Sequence, residues 1–273
     1  MKSDRSAPSG ALDESSLSRL LQEVEIIVRA AGDLARGASP DQRRITSKSD
    51  GHPVTEADMR VHELIASQLE VLEPSYGLRS EEGEGWEAKG GDCTWVLDPI
   101  DGTRHYGRGN PNYGVSLGLE CRGEPVLGAV CLPELDQLYL GAKGLGAHLN
   151  GERIQCSDRP ALRHALVCVE LPSRASPPEN LRRSLEGLGT LIGAVERVRV
   201  LGVSSMGVCL AAKGGFDAWL SLGSSWKSWD VAAARLILTE AGGEWIEDGR
   251  LTAAGPPDLC RQLLALAQES ATE

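Results

Sequence analysis

The chain has 273 residues, 41% of them hydrophobic and only 4% aromatic, so its core must rest mainly on aliphatic side chains. Its formal charge of −11 argues against a nucleic-acid partner and against an anionic membrane surface, because both need basic residues for binding. An acidic protein that handles an anionic substrate needs positive charge at its site, which a bound metal ion would supply.

The N-terminal part is predicted to be a flexible tail followed by two helices. Residues 1–15 are polar and contain no apolar segment of the kind found in signal peptides. Apolar residues then recur at helical spacing over residues 17–31, and Gly37 lies near the expected end of this helix. A second helix is expected to begin after Thr55, as its N-cap, and to stop before Pro74.

Short β-strands are predicted in the middle of the chain. Their apolar runs lie at residues 76–80, 94–97, 113–120, 126–132, 137–141, 146–149 and 153–155. Asn150 and Gly151 form a dipeptide that is typical of a two-residue hairpin turn. Residues 16–157 are therefore interpreted as an α+β domain with a largely antiparallel sheet.

Strands and helices alternate in the remainder of the chain. The expected strands are 166–171, 198–201 and 217–222, and the expected helices are 178–187, 204–212 and 230–241. Residues 158–273 are therefore interpreted as an α/β domain, and the chain as α/β with an α+β first half.

The seven cysteines are an odd number and include no C-x-x-C pair. This pattern is interpreted as reduced thiols in a cytoplasmic protein rather than as a disulfide framework or a zinc site. No run of eighteen apolar residues occurs in the sequence, so no membrane-spanning helix is expected.

The segment from Asp98 to Thr103 carries the strongest chemical signal. A buried strand delivers Asp98 to a sheet edge, Pro99 blocks further ladder pairing, and Asp101 and Gly102 turn the chain. The two carboxylates can converge on one point, where they repel each other unless a hard divalent cation such as Mg²⁺ neutralises them. Backbone N–H groups after the turn would be free to hold a phosphate. Taken alone, the segment is equally compatible with an ordinary turn.

Five motifs that follow one another along the chain decide between a turn and a site. They are Pro-Val-Thr-Glu-Ala-Asp at 53–58, Glu-Glu at 81–82, Trp-Val-Leu-Asp-Pro-Ile-Asp-Gly-Thr at 95–103, Trp-Asp-Val-Ala-Ala-Ala at 229–234 and Thr-Glu-Ala-Gly-Gly at 239–243. Together they resemble the inositol monophosphatase-like superfamily of metal-dependent, lithium-sensitive phosphatases. The resemblance implies a layered α-β-α-β-α sandwich, often dimeric, so we expect a homodimer.

The resemblance also implies a set of metal ligands. Glu81, Asp98 and the carbonyl of Ile100 would bind one Mg²⁺, and Asp98, Asp101 and Asp230 a second. A third, weaker ion is expected near Glu81. Residues 16–157 would thus carry most of the ligands, and residues 158–273 would complete the active site.

The implied catalytic residues are Thr103, Asp58 and Glu81, with Thr103 and Asp58 orienting and deprotonating the attacking water. Asp101 and the N–H groups of Gly102 and Thr103 would bind the phosphate. Further candidates for supporting the ligands or contacting the substrate are Glu82, Arg104 and His105.

The predicted function is Mg²⁺-dependent hydrolysis of a small soluble phosphate ester, with an inositol- or sugar-phosphate-like substrate preferred. Residues 220–228 lack the glutamate that typical inositol phosphatases carry shortly before the Trp-Asp pair. Two other substrates, 3′-phosphoadenosine 5′-phosphate and histidinol phosphate, therefore stay open. A metal- or phosphate-binding regulatory protein without turnover is the alternative of another class.

Overall fold

The computed structural model describes residues 12–48, 51–89, 92–158, 161–223 and 226–269. The helices are α1 (Glu14–Gly37), α2 (Glu56–Leu72), α3 (Thr103–Tyr106), α4 (Pro178–Ala194), α5 (Ser204–Ala212), α6 (Ser228–Glu240) and α7 (Pro257–Glu269). The strands are β1 (Thr46–Ser47), β2 (Pro53–Val54), β3 (Gly77–Ser80), β4 (Cys93–Asp101), β5 (Gly114–Cys121), β6 (Glu124–Leu132), β7 (Gln137–Ala142), β8 (Gly146–Leu149), β9 (Glu152–Arg153), β10 (Leu166–Glu170), β11 (Arg197–Arg199), β12 (Ala218–Ser221), β13 (Glu244–Asp248) and β14 (Leu251–Gly255).

Two large sheets organise the chain. The seven-stranded sheet runs in the order β3-β4-β5-β6-β7-β8-β9, and every neighbouring pair is antiparallel except β3 and β4. The five-stranded sheet has the order β11-β10-β12-β14-β13, with β10 parallel to β11 and β12 and with β14 antiparallel to both its neighbours. Both sheet types agree with the strand patterns of the sequence.

The sheets alternate with helices in five layers. Helices α1 and α2 pack on the outer face of the seven-stranded sheet, α5 and α6 lie between the two sheets, and α4 and α7 cover the five-stranded sheet. A separate apolar cluster fills the space between each sheet and its helices, including the space shared by both sheets. The predicted α-β-α-β-α sandwich is confirmed. The division at residue 157 into two domains stays a prediction.

Local capping explains where the first two helices begin. The Asp13 side chain accepts a hydrogen bond from the amide of Ser16 (2.8 Å), so α1 starts at Glu14, inside the predicted tail. Residues 1–11 of that tail lie outside the described residues. The predicted N-cap Thr55 is confirmed, and Asp58 completes a reciprocal capping box with it at the start of α2.

Helix α4 extends beyond the predicted stop at Gly187 and ends at Ala194. A Cβ atom at Gly187 would lie 3.4 Å from the carbonyl oxygen of Ala267 in α7. Gly187 therefore lies inside the helix, at its contact with α7, and does not end it. Strands β13 and β14 and helix α7, which the sequence pattern does not predict, complete the five-stranded sheet and its cover.

The interpretation of all seven cysteines as reduced thiols is wrong for Cys93 and Cys121, which form a disulfide. They are 28 positions apart in the sequence, but the antiparallel register of β4 and β5 places them opposite each other, with Cα atoms 4.0 Å apart. Sequence spacing cannot show this proximity because it depends on strand pairing. The remaining five cysteines are free.

None of the described helices combines the length and the apolar composition needed to cross a bilayer.

Helix α6 approaches the seven-stranded sheet closely because glycines face it. A Cβ atom at Gly128 in β6 would lie 2.3 Å from the carbonyl oxygen of Ala233, and one at Gly118 in β5 would lie 3.2 Å from the amide nitrogen of Ala233. These distances leave no room for a methyl group at Gly128. The contact fixes the helix that carries Asp230 against the sheet that carries Asp98.

We predict that Gly128→Ala lowers the free energy of unfolding by about 1–3 kcal/mol, because the added methyl forces α6 away from the sheet. Urea denaturation measures the change. The control is Gly189→Ala in α4, where nothing lies within 4 Å of the added Cβ. It should leave stability unchanged or raise it by up to about 1 kcal/mol. Wild-type stability in Gly128→Ala would show that α6 is not packed this closely.

Candidate active site

The turn after β4 is built around Gly102. The pairing register of β4 and β5 shifts between Asp98 and Asp101, so the strand is irregular where its two carboxylates lie. Gly102 has a φ of 94°, in the left-handed region that side chains disfavour. A Cβ atom there would lie 3.0 Å from the carbonyl oxygen of Asn112. Glycine is therefore required where the strand passes into α3.

Three carboxylates from different elements converge on one point. Glu81 directly follows β3, and its amide donates to the carbonyl oxygen of Leu97 in β4 (3.0 Å). Asp98 lies within β4, and Asp230 lies in the first turn of α6, where it accepts a hydrogen bond from the amide of Lys227 (2.6 Å). One ligand atom from each of these three carboxylates lies within 4.8 Å of the other two.

Asp101 lies beside this group and lines the same cavity. Its Oδ2 accepts a hydrogen bond from the amide of Ser205 (2.8 Å), at the start of α5. The start of a helix favours negative charge, which holds this carboxylate in place. The four predicted carboxylate ligands are thus brought together from both halves of the chain.

Burial and mutual repulsion raise the pKa values of these carboxyls. Burial raises the pKa of Asp98 well above its ordinary value, and repulsion from Glu81 adds to the effect. Burial raises the pKa of Asp101 to about 8, with further repulsion from Asp230. The pKa of Asp230 rises to about 6, again mainly through burial. In the described part of the chain, Oδ1 of Asp98 is buried without a hydrogen-bond partner.

This donor set fits a divalent cation. Carboxylate oxygens are the ligands that Mg²⁺ prefers, and a cation would neutralise the repulsion and coordinate the unpartnered oxygen of Asp98. The carbonyl of Ile100, a predicted ligand, accepts a hydrogen bond from the hydroxyl of Thr103 (3.1 Å). Because a carbonyl oxygen has two lone pairs, this bond is compatible with a second interaction.

Lys48 places a positive charge next to Glu81 and Glu82. Its Nζ lies 3.6 Å from Oε1 of Glu81 and 2.6 Å from Oε1 of Glu82. Glu82 is buried, and burial raises its pKa to about 7 although Lys48 opposes the shift. Glu82 and Glu81 thus share the ammonium group of Lys48. This contact is consistent with the supporting role predicted for Glu82.

Thr103 and Asp58 form a buried hydrogen-bonded pair. The Thr103 hydroxyl lies 3.3 Å from Oδ1 of Asp58. Oδ2 of Asp58 accepts hydrogen bonds from the amide (2.9 Å) and the hydroxyl of Thr55. Burial raises the pKa of Asp58 to about 6, and the bonds from Thr55 oppose the shift. The capping box thus holds one oxygen of Asp58 and leaves the other for Thr103.

A cavity of about 260 Å³ opens onto these groups. Beyond the metal-site residues, its lining includes Arg104, His105, His52 and Gly202. Arg104 and His105 are the candidates predicted from the sequence, whereas His52 is not among them. The five histidines show no metal-ligand spacing in the sequence. His52 directly precedes Pro53, which also lines the cavity and begins β2.

The chain has two sheets separated by helices, and its buried carboxylates converge on a cavity that both halves of the chain line. This fold and this site are those of a metal-dependent hydrolase. The sequence model of the inositol monophosphatase family matches residues 16–259, and the chain belongs to this family. Its members are metal-dependent phosphatases that hydrolyse phosphate monoesters.

Similar proteins cover most of the chain. Inositol monophosphatase 2 of Mus musculus is 36% identical over 91% of this chain and 85% of its own length. A protein of Aquifex aeolicus named fructose-1,6-bisphosphatase/inositol-1-monophosphatase is 34% identical over 84% of this chain and 85% of its own. The crystal structure of the extragenic suppressor protein suhB of Bartonella henselae matches with a TM-score of 0.85. It covers 92% of this chain and 99% of its own, and at 22% identity it supports the fold alone.

Proposed function

We propose that the protein hydrolyses the phosphate monoester of a small polyhydroxy alcohol, an inositol or sugar phosphate, with Mg²⁺ as its cofactor. The observation that carries this proposal is the convergence of Glu81, Asp98 and Asp230 within 4.8 Å beside the Thr103–Asp58 pair. A binding protein needs the carboxylates alone, whereas hydrolysis also needs a group that orients water.

The cation would supply positive charge for the phosphoryl oxygens and acidify a bound water. The protein groups supply orientation and proton transfer. The single proton of the Thr103 hydroxyl is within reach of both the Ile100 carbonyl oxygen and Asp58. With the Ile100 carbonyl bound to the cation, the hydroxyl would donate to Asp58, which leaves its lone pairs to accept a hydrogen bond from the attacking water. Asp58 can receive a proton relayed through Thr103. The N–H groups of Gly102 and Thr103 lie at the start of α3, where a helix leaves donors for a phosphate.

We propose two ions. Glu81, Asp98 and the Ile100 carbonyl would hold the first, and Asp98, Asp101 and Asp230 the second. The third, weaker ion expected near Glu81 would have to share that carboxylate with the ammonium group of Lys48. The homodimer stays a prediction, which light scattering on the purified protein would test.

The names of the relatives support an inositol or sugar phosphate as the substrate. The alternatives 3′-phosphoadenosine 5′-phosphate and histidinol phosphate share the phosphate chemistry and differ in the rest of the molecule. Specificity therefore depends on groups beside the metal ligands.

A substrate panel tests the proposal. We expect phosphate release from inositol 1-phosphate with Mg²⁺, no release with EDTA, and a higher kcat/KM than for 3′-phosphoadenosine 5′-phosphate, fructose 1,6-bisphosphate or histidinol phosphate. Calorimetry on the same preparation measures Mg²⁺ binding. If Mg²⁺ binds but no ester is hydrolysed, the regulatory alternative holds.

A further inference from the structure

Glu170 is a carboxylate that the proposed chemistry does not use. It is the last residue of β10, in the five-stranded sheet, and it is partly buried. Among the residues that the structure describes, no hydrogen bond or ion pair reaches its side chain. A partly buried carboxylate without such a partner keeps its lone pairs available to accept hydrogen bonds from a molecule that enters from solvent.

The strand geometry shows which way Glu170 faces. Side chains alternate along a strand, so Glu170 points to the same face as Cys168. That face is covered by α5, because a Cβ atom at Gly207 would lie 3.1 Å from Sγ of Cys168 and 2.7 Å from the ring of Trp219. The parallel register pairs Cys168 with Trp219 and Glu170 with Ser221. Glu170 and Ser221 therefore lie side by side on the face of the sheet that α5 covers.

The same edge of the sheet carries the metal-site residues. Strands β11 and β12 run parallel to β10, and each passes at its carboxyl end into a helix of the middle layer, α5 and α6 respectively. The start of α5 binds Asp101, and the first turn of α6 contains Asp230. The carboxyl ends of parallel strands are the usual place for ligands in such sheets. Glu170 thus lies on the side of the site that Asp101 and Asp230 form.

Electrostatics agree with this placement. Burial raises the pKa of Glu170 to about 7, and repulsion from Asp230 adds to the shift. Repulsion from Glu170 also contributes to the raised pKa of Asp101. The three carboxyl groups are therefore close enough to influence one another.

We propose that Glu170 binds the alcohol part of the substrate by accepting hydrogen bonds from its hydroxyl groups. The inference rests on the proposed phosphatase function and assigns the substrate class more narrowly. A carboxylate accepts hydrogen bonds from hydroxyls and repels a second phosphate. The site therefore selects polyol monophosphates over esters that carry another anionic group on this side.

The test compares two esters that differ in hydroxyl groups. For Glu170→Gln, we expect kcat/KM for inositol 1-phosphate to fall about 10- to 100-fold, mainly through KM, because the substrate hydroxyls lose a charged acceptor and meet an amide that is partly a donor. The kcat/KM for phenyl phosphate, which has no free hydroxyl, should change less than about threefold, since that ester makes no such bond. Glu170→Ala should reproduce the selective loss.

The matched control is Glu247→Gln, on the edge strand β13 of the same sheet, which should alter neither substrate. Equal losses on both esters in Glu170→Gln would overturn the proposal, because Glu170 would then act on the metal ligands. An unchanged preference for inositol 1-phosphate would overturn it as well. A wild-type protein that hydrolyses neither ester would instead refute the phosphatase function itself.

Discussion

Asp98→Asn is expected to lower kcat at least about 1,000-fold. Replacing a residue that only supports a metal ligand costs about 10- to 100-fold, and Asp98 is itself a proposed ligand, so its loss should cost more. Asp98 is the carboxylate that both proposed ion sites share. The amide keeps the shape of the side chain but removes one negative charge from the centre of the group. Steady-state kinetics with inositol 1-phosphate and calorimetric Mg²⁺ titration measure the two consequences, lost turnover and weakened binding.

The fold of this variant is expected to survive and to gain stability without metal. The pKa of Asp98 is higher in the folded protein than in the unfolded chain, so its ionised form destabilises the fold above its usual pKa of 3.8. Asparagine carries no such penalty. In EDTA at pH 8 the variant should therefore melt above the wild type. The difference should shrink as the pH is lowered toward 4, and also when Mg²⁺ neutralises the wild-type carboxylate.

Asp136→Asn provides the matched control. Asp136 is exposed, has a φ of 51° and follows the turn after β6, away from the cavity. Asparagine tolerates this left-handed conformation, so kcat and melting temperature should stay close to the wild-type values. Near-normal activity in Asp98→Asn would show that the metal site lies elsewhere.

The parts of the site that the sequence predicted depend on local chemistry. The N-cap at Thr55 depends only on residues up to Asp58, three positions on, and the turn at Gly102 needs only its own backbone. Glu81 and Asp230 were found through the resemblance, since each alone is compatible with a surface loop or a helix cap. The structure shows that Asp230 does accept a capping hydrogen bond while it faces the other carboxylates.

The parts that the sequence did not predict depend on contacts between distant segments. The disulfide of Cys93 and Cys121 follows from the register of two strands. Glu170 looks like the end of an apolar strand until the parallel pairing of β10 and β12 places it beside the middle layer. Gly187 resembles a helix stop because a sequence does not show which helix packs against it. In each case the missing information is a tertiary neighbour.

The second large effect is expected at Thr103. In the proposed chemistry its hydroxyl contacts Asp58 and would also bind the attacking water. Thr103→Ala should lower kcat about 100-fold or more, which is the usual contribution of a positioned proton-transfer group. Thr103→Ser keeps the hydroxyl and should retain activity within about tenfold of the wild type. Mg²⁺ affinity should change little in both variants, because the carboxylates remain.

Thr239→Ala separates this effect from the loss of a hydroxyl in general. The Thr239 hydroxyl donates to the carbonyl oxygen of Leu236 (2.9 Å), three residues earlier, just as Thr103 donates to Ile100 (3.1 Å). Thr239 lies near the end of α6 and is exposed, so its replacement should leave kcat unchanged. If Thr103→Ser loses as much activity as Thr103→Ala while both bind Mg²⁺ normally, the hydroxyl does not orient the water. Asp58 would then have to act on the water directly, which Asp58→Asn in the Thr103→Ala background would reveal as a further loss of kcat.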